Sequence, residues 1–253
     1  MNDYTADYAK YYGLLTGHKS YHEEIQHLLR LLNSKGFDEY TSVLSVGCGI
    51  GSHERLLAKH VGSVMGIDQS PHMINYGQQM VNPSNLILEN KDLAHIEAAP
   101  FDVVISLFNV VNCISAGSSL DAFFKEIAYR VKSGGLVVLE SWNQKATIST
   151  PPTKVTREYS SDGISLSRTA LPHLDSVSST LRLEYLINGV DHDNIISIVS
   201  IHDLYLHSIQ LIESHLIANG FSCINWYTAL SDGMNILCDD TFERMLLVSA
   251  TKI

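Results

Sequence analysis

No stretch of the sequence approaches the ~18 consecutive apolar residues of a membrane-spanning helix, so no transmembrane segment is expected. Basic residues are scarce: 17 Lys and Arg stand against 27 Asp and Glu, a formal net charge of −10. A nucleic-acid partner needs a basic face, and this balance argues against one. A small anionic ligand held by a few local Arg or Lys residues stays compatible with it. Cysteine is sparse and dispersed. Cys48, Cys113, Cys223 and Cys238 form no CxxC pair, so neither a zinc site nor a disulfide framework is expected. His202 and His207 lie five apart, off the i, i+4 pairing that sets two ligands on one helix face, and no metal is expected. The opening Met1-Asn-Asp-Tyr4 is polar and acidic, unlike a signal peptide, so a cytoplasmic protein is expected. There is no internal repeat and no low-complexity tract.

What is present is the composition of an ordinary globule, 45% hydrophobic and 17% charged over 253 residues. Its organising stretch runs from Val43 to His53. Val43-Leu-Ser-Val46 reads as a short apolar strand, Gly47-Cys-Gly-Ile-Gly51 as a tight turn, and Ser52 as the start of a helix that stops by Gly62. A strand, a glycine turn and a helix make a corner against which a nucleotide can press. The dinucleotide fingerprint GxGxxG is missing, because Ser52 stands where its third glycine belongs. A nicotinamide or flavin dinucleotide is therefore disfavoured.

Before that corner come a tyrosine-rich arm (Tyr4, Tyr8, Tyr11, Tyr12) and a helix with Ile25, Leu28, Leu29 and Leu32 at helical spacing. Ser20-Tyr-His-Glu23 has the form of a capping box at the start of that helix. After the corner, strands over Ser63–Asp68, Asn85–Asp92, Phe101–Phe108 and Leu136–Glu140 alternate with helical segments, among them Ser70-Pro71 with its cap and first-turn proline, and Ser119–Val131. Val-, Ile- and Leu-rich strands that alternate with helices predict a parallel sheet covered on both faces, with ligands at the carboxyl ends of its strands. Asp68 lies about 20 residues beyond the first glycine, where a carboxylate can accept both ribose hydroxyls. Asp92 ends the next strand, within reach of an adenine amino group. Past Thr147–Pro152 the pattern turns to short alternating runs, Ile164–Thr169, Thr180–Ile187 and Ile195–Ile201, which predict inserted antiparallel strands. A helix near Leu206–Ile217 and strands over Ser222–Tyr227 and Glu243–Thr251 close the chain.

Val43–Gly51, Gly66-Ile-Asp68, Asn90-Lys-Asp92, Phe101–Phe108 and Ser133-Gly-Gly135 together resemble class I S-adenosylmethionine-dependent methyltransferases. The resemblance implies an α/β, Rossmann-like seven-stranded sheet with a reversed final hairpin, here with an antiparallel β insertion after the fifth strand. It places Gly47, Cys48, Gly49, Gly51, Asp68, Gln69, Met73, Asp92, Leu93 and Phe108 at the cofactor S-adenosylmethionine, with the glycines against its methionine moiety and Met73 on the adenine. The implied division is an N-terminal arm and helix, residues 1–40, as a lid; a cofactor domain over 41–146 and 202–253; and a substrate-covering insertion over 147–201. One position departs from the pattern. Where the family usually carries an acid that helps to hold the cofactor's methionine end, this chain has Ser45. Glu140 or a tyrosine of the arm is the expected substitute.

A narrower likeness, to N-methyltransferases of aminodeoxysugars, rests on Tyr12…Lys19-Ser-Tyr21, Gly51-Ser-His53, Ser106–Asn112, Glu140-Ser-Trp142 and His202…Leu206. It implies an amino group on a nucleotide-linked sugar as the acceptor. Methyl transfer to a neutral amine needs orientation and exclusion of water more than a strong base. Tyr12 and Tyr21 are candidates to shield the sulfonium and orient the nucleophile. Asn112 and His202 are candidates to take an amine hydrogen or proton. Asn109, Trp142, Arg157 and Arg168 are candidates for the acceptor, the arginines, with Arg182, for a diphosphate, and a homodimer stays open. Transfer to oxygen on another metabolite, a catalytically silent cofactor-binding protein and a nicotinamide-dependent reductase are the alternatives.

Overall fold

The structure, a computed structural model, describes residues 4–237 and 243–253. Cys238 lies outside the described residues; Cys48, Cys113 and Cys223 form no disulfide. Seven strands make one sheet: β1 (Ser42–Val46), β2 (Ser63–Asp68), β3 (Leu86–Asn90), β4 (Phe101–Ser106), β5 (Val131–Trp142), β10 (Phe221–Thr228) and β11 (Met245–Lys252). Their order is β10-β11-β5-β4-β1-β2-β3. Neighbours are parallel except β11, which runs against both β5 and β10. The chain leaves β1 toward β2 and β3 and then returns to the other side of β1 as β4. This reversal opens a crevice at the carboxyl end of β1, where the glycine turn stands.

Apolar faces close the sheet on both sides. On one, α2 (Tyr21–Ser34) lays Ile25, Leu28, Leu31 and Leu32 beside Val43, Val103, Ile105 and Leu247, with Leu57 of the short α3 (Ser52–Leu57) and Ile74 of α4 (Pro71–Gln78). On the other, α5 (Ser118–Arg130) and α7 (Ile209–Ala218) supply Phe123, Phe124, Ile127, Ile212 and Leu216 against Leu44, Val104, Val137 and Val248. Each of these strands alternates its side chains between two buried faces, which is why they read as unbroken apolar runs. No helix of the described residues is long and apolar enough to cross a membrane.

Between β5 and α7, after the short α6 (Gln144–Ser149), lies a four-stranded antiparallel meander: β6 (Val155–Ser161), β7 (Ile164–Asp175), β8 (Thr180–Asp191) and β9 (Asn194–Tyr205). These strands are longer than the sequence runs suggest, and the first of them begins at Val155. The last strand continues to Tyr205, so His202 belongs to the meander rather than to the approach to α7. The reason is pairing: cross-strand hydrogen bonds carry β9 on to Tyr205 opposite Thr180.

The tyrosine-rich arm forms a helix, α1 (Ala6–Leu15), capped by Thr5. It is packed between the two sheets. Tyr8, Ala9, Tyr11 and Leu15 share one buried cluster with Met73 and Ile50 of the main domain and Leu166 and Ile187 of the meander. Asp191 of β8 fastens it, accepting from Lys10 Nζ at 2.6 Å and Tyr11 Oη at 2.8 Å. The expected capping box at α2 does not form, for the Ser20 side chain caps nothing. Glu24, one residue beyond the expected acid, instead reaches His53 Nε2 at 2.7 Å and Lys19 Nζ at 3.2 Å, joining α2 to α3.

Asn112 joins the main sheet to the meander. Its amide oxygen accepts from the Trp142 N–H at 2.8 Å and Ser141 Oγ at 3.3 Å, and its amide nitrogen donates to the Tyr205 carbonyl at 2.9 Å. The side chain is fully buried. Asn112→Ala leaves buried backbone groups unpaired and should cost about 2 kcal/mol or more, read as a fall in unfolding free energy by urea titration; an unchanged midpoint would refute the bridging role.

Candidate active site

The glycine turn is held from beneath. The N–H groups of Gly47 and Cys48 both donate to the Ile67 carbonyl, at 2.8 and 3.0 Å, so the turn is laced to the end of β2. Gly47 has φ +74°, and a Cβ there would stand 2.3 Å from a Val110 methyl. Gly51 has φ +79°, and a Cβ there would meet Leu88 at 2.9 Å. Conformation and space therefore both demand glycine at these two positions. A Cβ built on Gly49 meets nothing within 4 Å, so the exposed side of the turn is clear for a ligand.

Asp68, at the end of β2, accepts the Gly49 N–H on Oδ2 and the Ser70 N–H on Oδ1, each at 2.8 Å. Each oxygen keeps a lone pair, enough for a pair of ribose hydroxyls. Burial raises its pKa, against the pull of those two bonds. Asp92 caps the 3-10 turn Leu93–His95 through the Ala94 N–H at 2.9 Å and accepts from Gln69 Nε2 at 2.6 Å, so Gln69 and Asp92 share one edge of the crevice. Leu93 is buried beneath them.

Beside the turn is a pocket lined by Tyr12, Tyr21, Ser45, Gly47–Gly49, Ser52–Glu54, Leu107 and Phe108. Tyr12 reaches it from α1 and Tyr21 from the start of α2, and Tyr21 meets the His53 ring edge-on at 4.8 Å. Phe108 and Asn109 both adopt left-handed backbone, φ 58° and 66°, at the end of β4. The Phe108 N–H donates to Glu140 Oε2 at 2.7 Å, and Lys19 Nζ lies 4.0 Å from the Phe108 ring centre. Glu54 and Glu140 are buried, and burial raises both pKa values; the charges of His53 and Lys19 respectively oppose it. Two buried carboxylates and the half-buried Asp68 around one turn make a place where a cation lowers the energy of all three. That suits a ligand carrying a sulfonium and an ammonium, and the open side of Gly49 and free lone pairs of Asp68 suit its nucleoside end.

Residues 43–135 match the family described as Methyltransferase domain. Over those residues the chain carries a methyltransferase domain. Among its relatives is the dTDP-3-amino-3,6-dideoxy-alpha-D-glucopyranose N,N-dimethyltransferase of Streptomyces fradiae, 27% identical over 192 residues, which are 75% of this chain and 74% of that protein. Of the solved structures, Streptomyces venezuelae DesVI superposes with TM-score 0.82 at 21% identity, covering 99% of this chain and 100% of that one. The sugar N-methyltransferase KedS8 of Streptoalloteichus superposes with TM-score 0.79 at 18% identity, covering 100% and 94%. The fold of this methyltransferase, insertion included, is thus that of these proteins.

The structure brings most of the expected residues of the methyltransferase together and sets several apart. Gly47, Cys48, Gly49, Phe108, Tyr12 and Tyr21 line the one pocket. Cys48 packs on Gly66 and burial pushes its thiol up, so it acts as a small spacer. Met73 lies in one buried cluster with residues of α1. Asn112 is not available to an amine, its oxygen and nitrogen being committed to Trp142, Ser141 and Tyr205. Trp142 packs against Leu181, Leu183, Leu204 and Leu206, a strut between core and meander rather than a pocket wall. Arg157 and Arg168 are cross-strand partners and so share a face of the meander. Arg182 lies on the opposite face, paired with Asp203 at 2.7 Å.

His202 sits in an aromatic surround that sequence reasoning missed. Tyr4, Tyr185 and Tyr8 rings lie 4.7, 5.2 and 5.5 Å from it, and its Nε2 meets Ser200 Oγ at 2.8 Å. Arg168 stacks on Tyr185 and Tyr159 at 5.2 and 5.4 Å. Tyr185, His202 and Arg168 come from three strands that only register aligns; period-2 spacing on each was their one signal. Burial, with the charge of Arg168, lowers the His202 pKa to about 4. The unfolded chain therefore binds a proton on this ring at higher pH than the folded one. Stability falls as pH drops from about 6.5 toward 4, by about 2 kcal/mol between pH 7 and pH 5. His202→Gln should flatten that part of the urea-midpoint profile; an unchanged slope would show that the ring is not held neutral.

Proposed function

We propose that this methyltransferase methylates an amino group on a nucleotide-linked sugar. The observation that carries the proposal is the extent of the match to the Streptomyces fradiae enzyme. It takes in 75% of the chain, more than the core at residues 43–135 contains. When bound, S-adenosylmethionine supplies a methyl on a sulfonium: the acceptor nitrogen bonds to that carbon, sulfur keeps the S–C electron pair, and the nitrogen's proton passes to solvent. Asp68 holds the ribose hydroxyls, and Asp92 with Gln69 faces the adenine edge. Tyr12 and Tyr21 roof the reacting groups and keep water away, with their rings toward positive charge. Residues 1–40 act as the lid and the meander as the substrate cover.

Arg168 is the meander's candidate for a diphosphate. It lies on the inner face beside Tyr8, with Arg157 toward the rim. His202 is a poor base, because a ring with its pKa near 4 cannot hold a proton at neutral pH. It serves as a wall of the aromatic chamber. A neutral amine acceptor fits this lack of a strong base.

Incubation with S-adenosylmethionine and a dTDP-linked amino sugar should release S-adenosylhomocysteine and give product heavier by one or two methylene units. Turnover confined to glycine or to hydroxylated metabolites would overturn the proposal. Tyr12→Phe and Tyr21→Phe should each lower kcat roughly tenfold through lost orientation. Arg168→Ala should raise KM for the nucleotide-linked acceptor about tenfold, with a smaller change in kcat.

A further inference from the structure

Ser45 occupies the last part of β1, directly beneath the glycine turn, and its hydroxyl donates to Glu54 Oε1 at 2.6 Å. Glu54 comes from the first turn of α3, nine residues on. It is 2% exposed and lines the pocket beside the turn. Its second oxygen, Oε2, is buried and has no hydrogen-bond partner among the described residues. The two basic side chains nearest in sequence are engaged elsewhere: His53 with Glu24 at 2.7 Å, and Arg55 with the Gly77 carbonyl at 2.7 Å. A buried carboxylate oxygen without a donor is costly, and it marks a place for one.

Resting on the cofactor reading above, we infer that Glu54, oriented by Ser45, binds the α-ammonium group of the methionine moiety of S-adenosylmethionine. Of the cofactor's two cationic centres, only the ammonium has N–H donors to satisfy Oε2; the sulfonium has none. Asp68 lies across the turn from Ser45 and takes the ribose, so the methionine end falls on the Glu54 side. Glu140 does not compete for this role, since its Oε2 accepts the Phe108 N–H and it does not line the pocket. The acid has moved from strand to helix: the serine keeps a hydrogen bond at the strand position and steers a carboxylate delivered from α3.

Calorimetry distinguishes this from the cofactor reading itself. The wild-type protein is titrated with S-adenosylhomocysteine, with its deamino analogue, which keeps the carboxylate, and with 5′-methylthioadenosine, which lacks the amino-acid end. Glu54→Gln should weaken S-adenosylhomocysteine binding roughly tenfold to a hundredfold, the range of one hydrogen bond to a charged group. It should leave 5′-methylthioadenosine within about twofold, as expected for a contact that ligand never makes. In wild type the deamino analogue should lose a similar factor, and Glu54→Gln should add little to that loss. Ser45→Asp combined with Glu54→Leu, which returns an acid to the strand, should recover most of the affinity. Equal affinity of wild type for S-adenosylhomocysteine and its deamino analogue would overturn the assignment and leave the cofactor reading intact, and this arm needs no variant to fold. Failure of wild type to bind any of the three would overturn both.

Discussion

The hydrogen bond from the Gly49 N–H to the Asp68 carboxylate joins the two halves of the site. It fixes a turn that has no side chains of its own to hold it, and it does so from the neighbouring strand. With the turn placed by Asp68 and by the Ile67 carbonyl, α3 starts in one direction only. That direction delivers His53 to Glu24 and Glu54 to Ser45. Helix α2 is thereby tied to the turn through Glu24, and Lys19 reaches both Glu24 and the Phe108 ring.

Negative charge concentrates where that geometry converges. Asp68, Glu54 and Glu140 are each disfavoured as anions by burial, and none has a full cationic partner. Folding tolerates this arrangement because the carboxylates accept backbone N–H groups or a hydroxyl. A cationic cofactor completes it. The chain's overall acidity is no guide here, for most of its acids are on the surface; these few matter because water is kept from them.

The meander contributes a different surface, aromatic and basic. Its inner face carries Arg168, Tyr185, Tyr159 and His202, and α1 is clamped against it by Lys10, Tyr11 and Asp191. The N-terminal helix is therefore shared between the main domain and the meander.

The strands of the main sheet were legible in the sequence, because they follow from local rules; the reversed final hairpin came with the family resemblance. Apolar strands alternate with helices, glycines sit where φ is positive or a neighbour lies too close, and acids end successive strands. The residues that this logic misassigned are those whose role depends on distant partners. Asn112 looked available until Trp142 and Tyr205 arrived to bond it, from 30 and 93 residues away. His202 looked like a loop base until strand pairing placed it in an aromatic box that keeps it neutral. The loss of an acid at Ser45 was visible in the sequence, and so was Glu54. Only tertiary structure decided that they act together, because the 2.6 Å bond between them requires the turn to fold α3 back over the strand it came from.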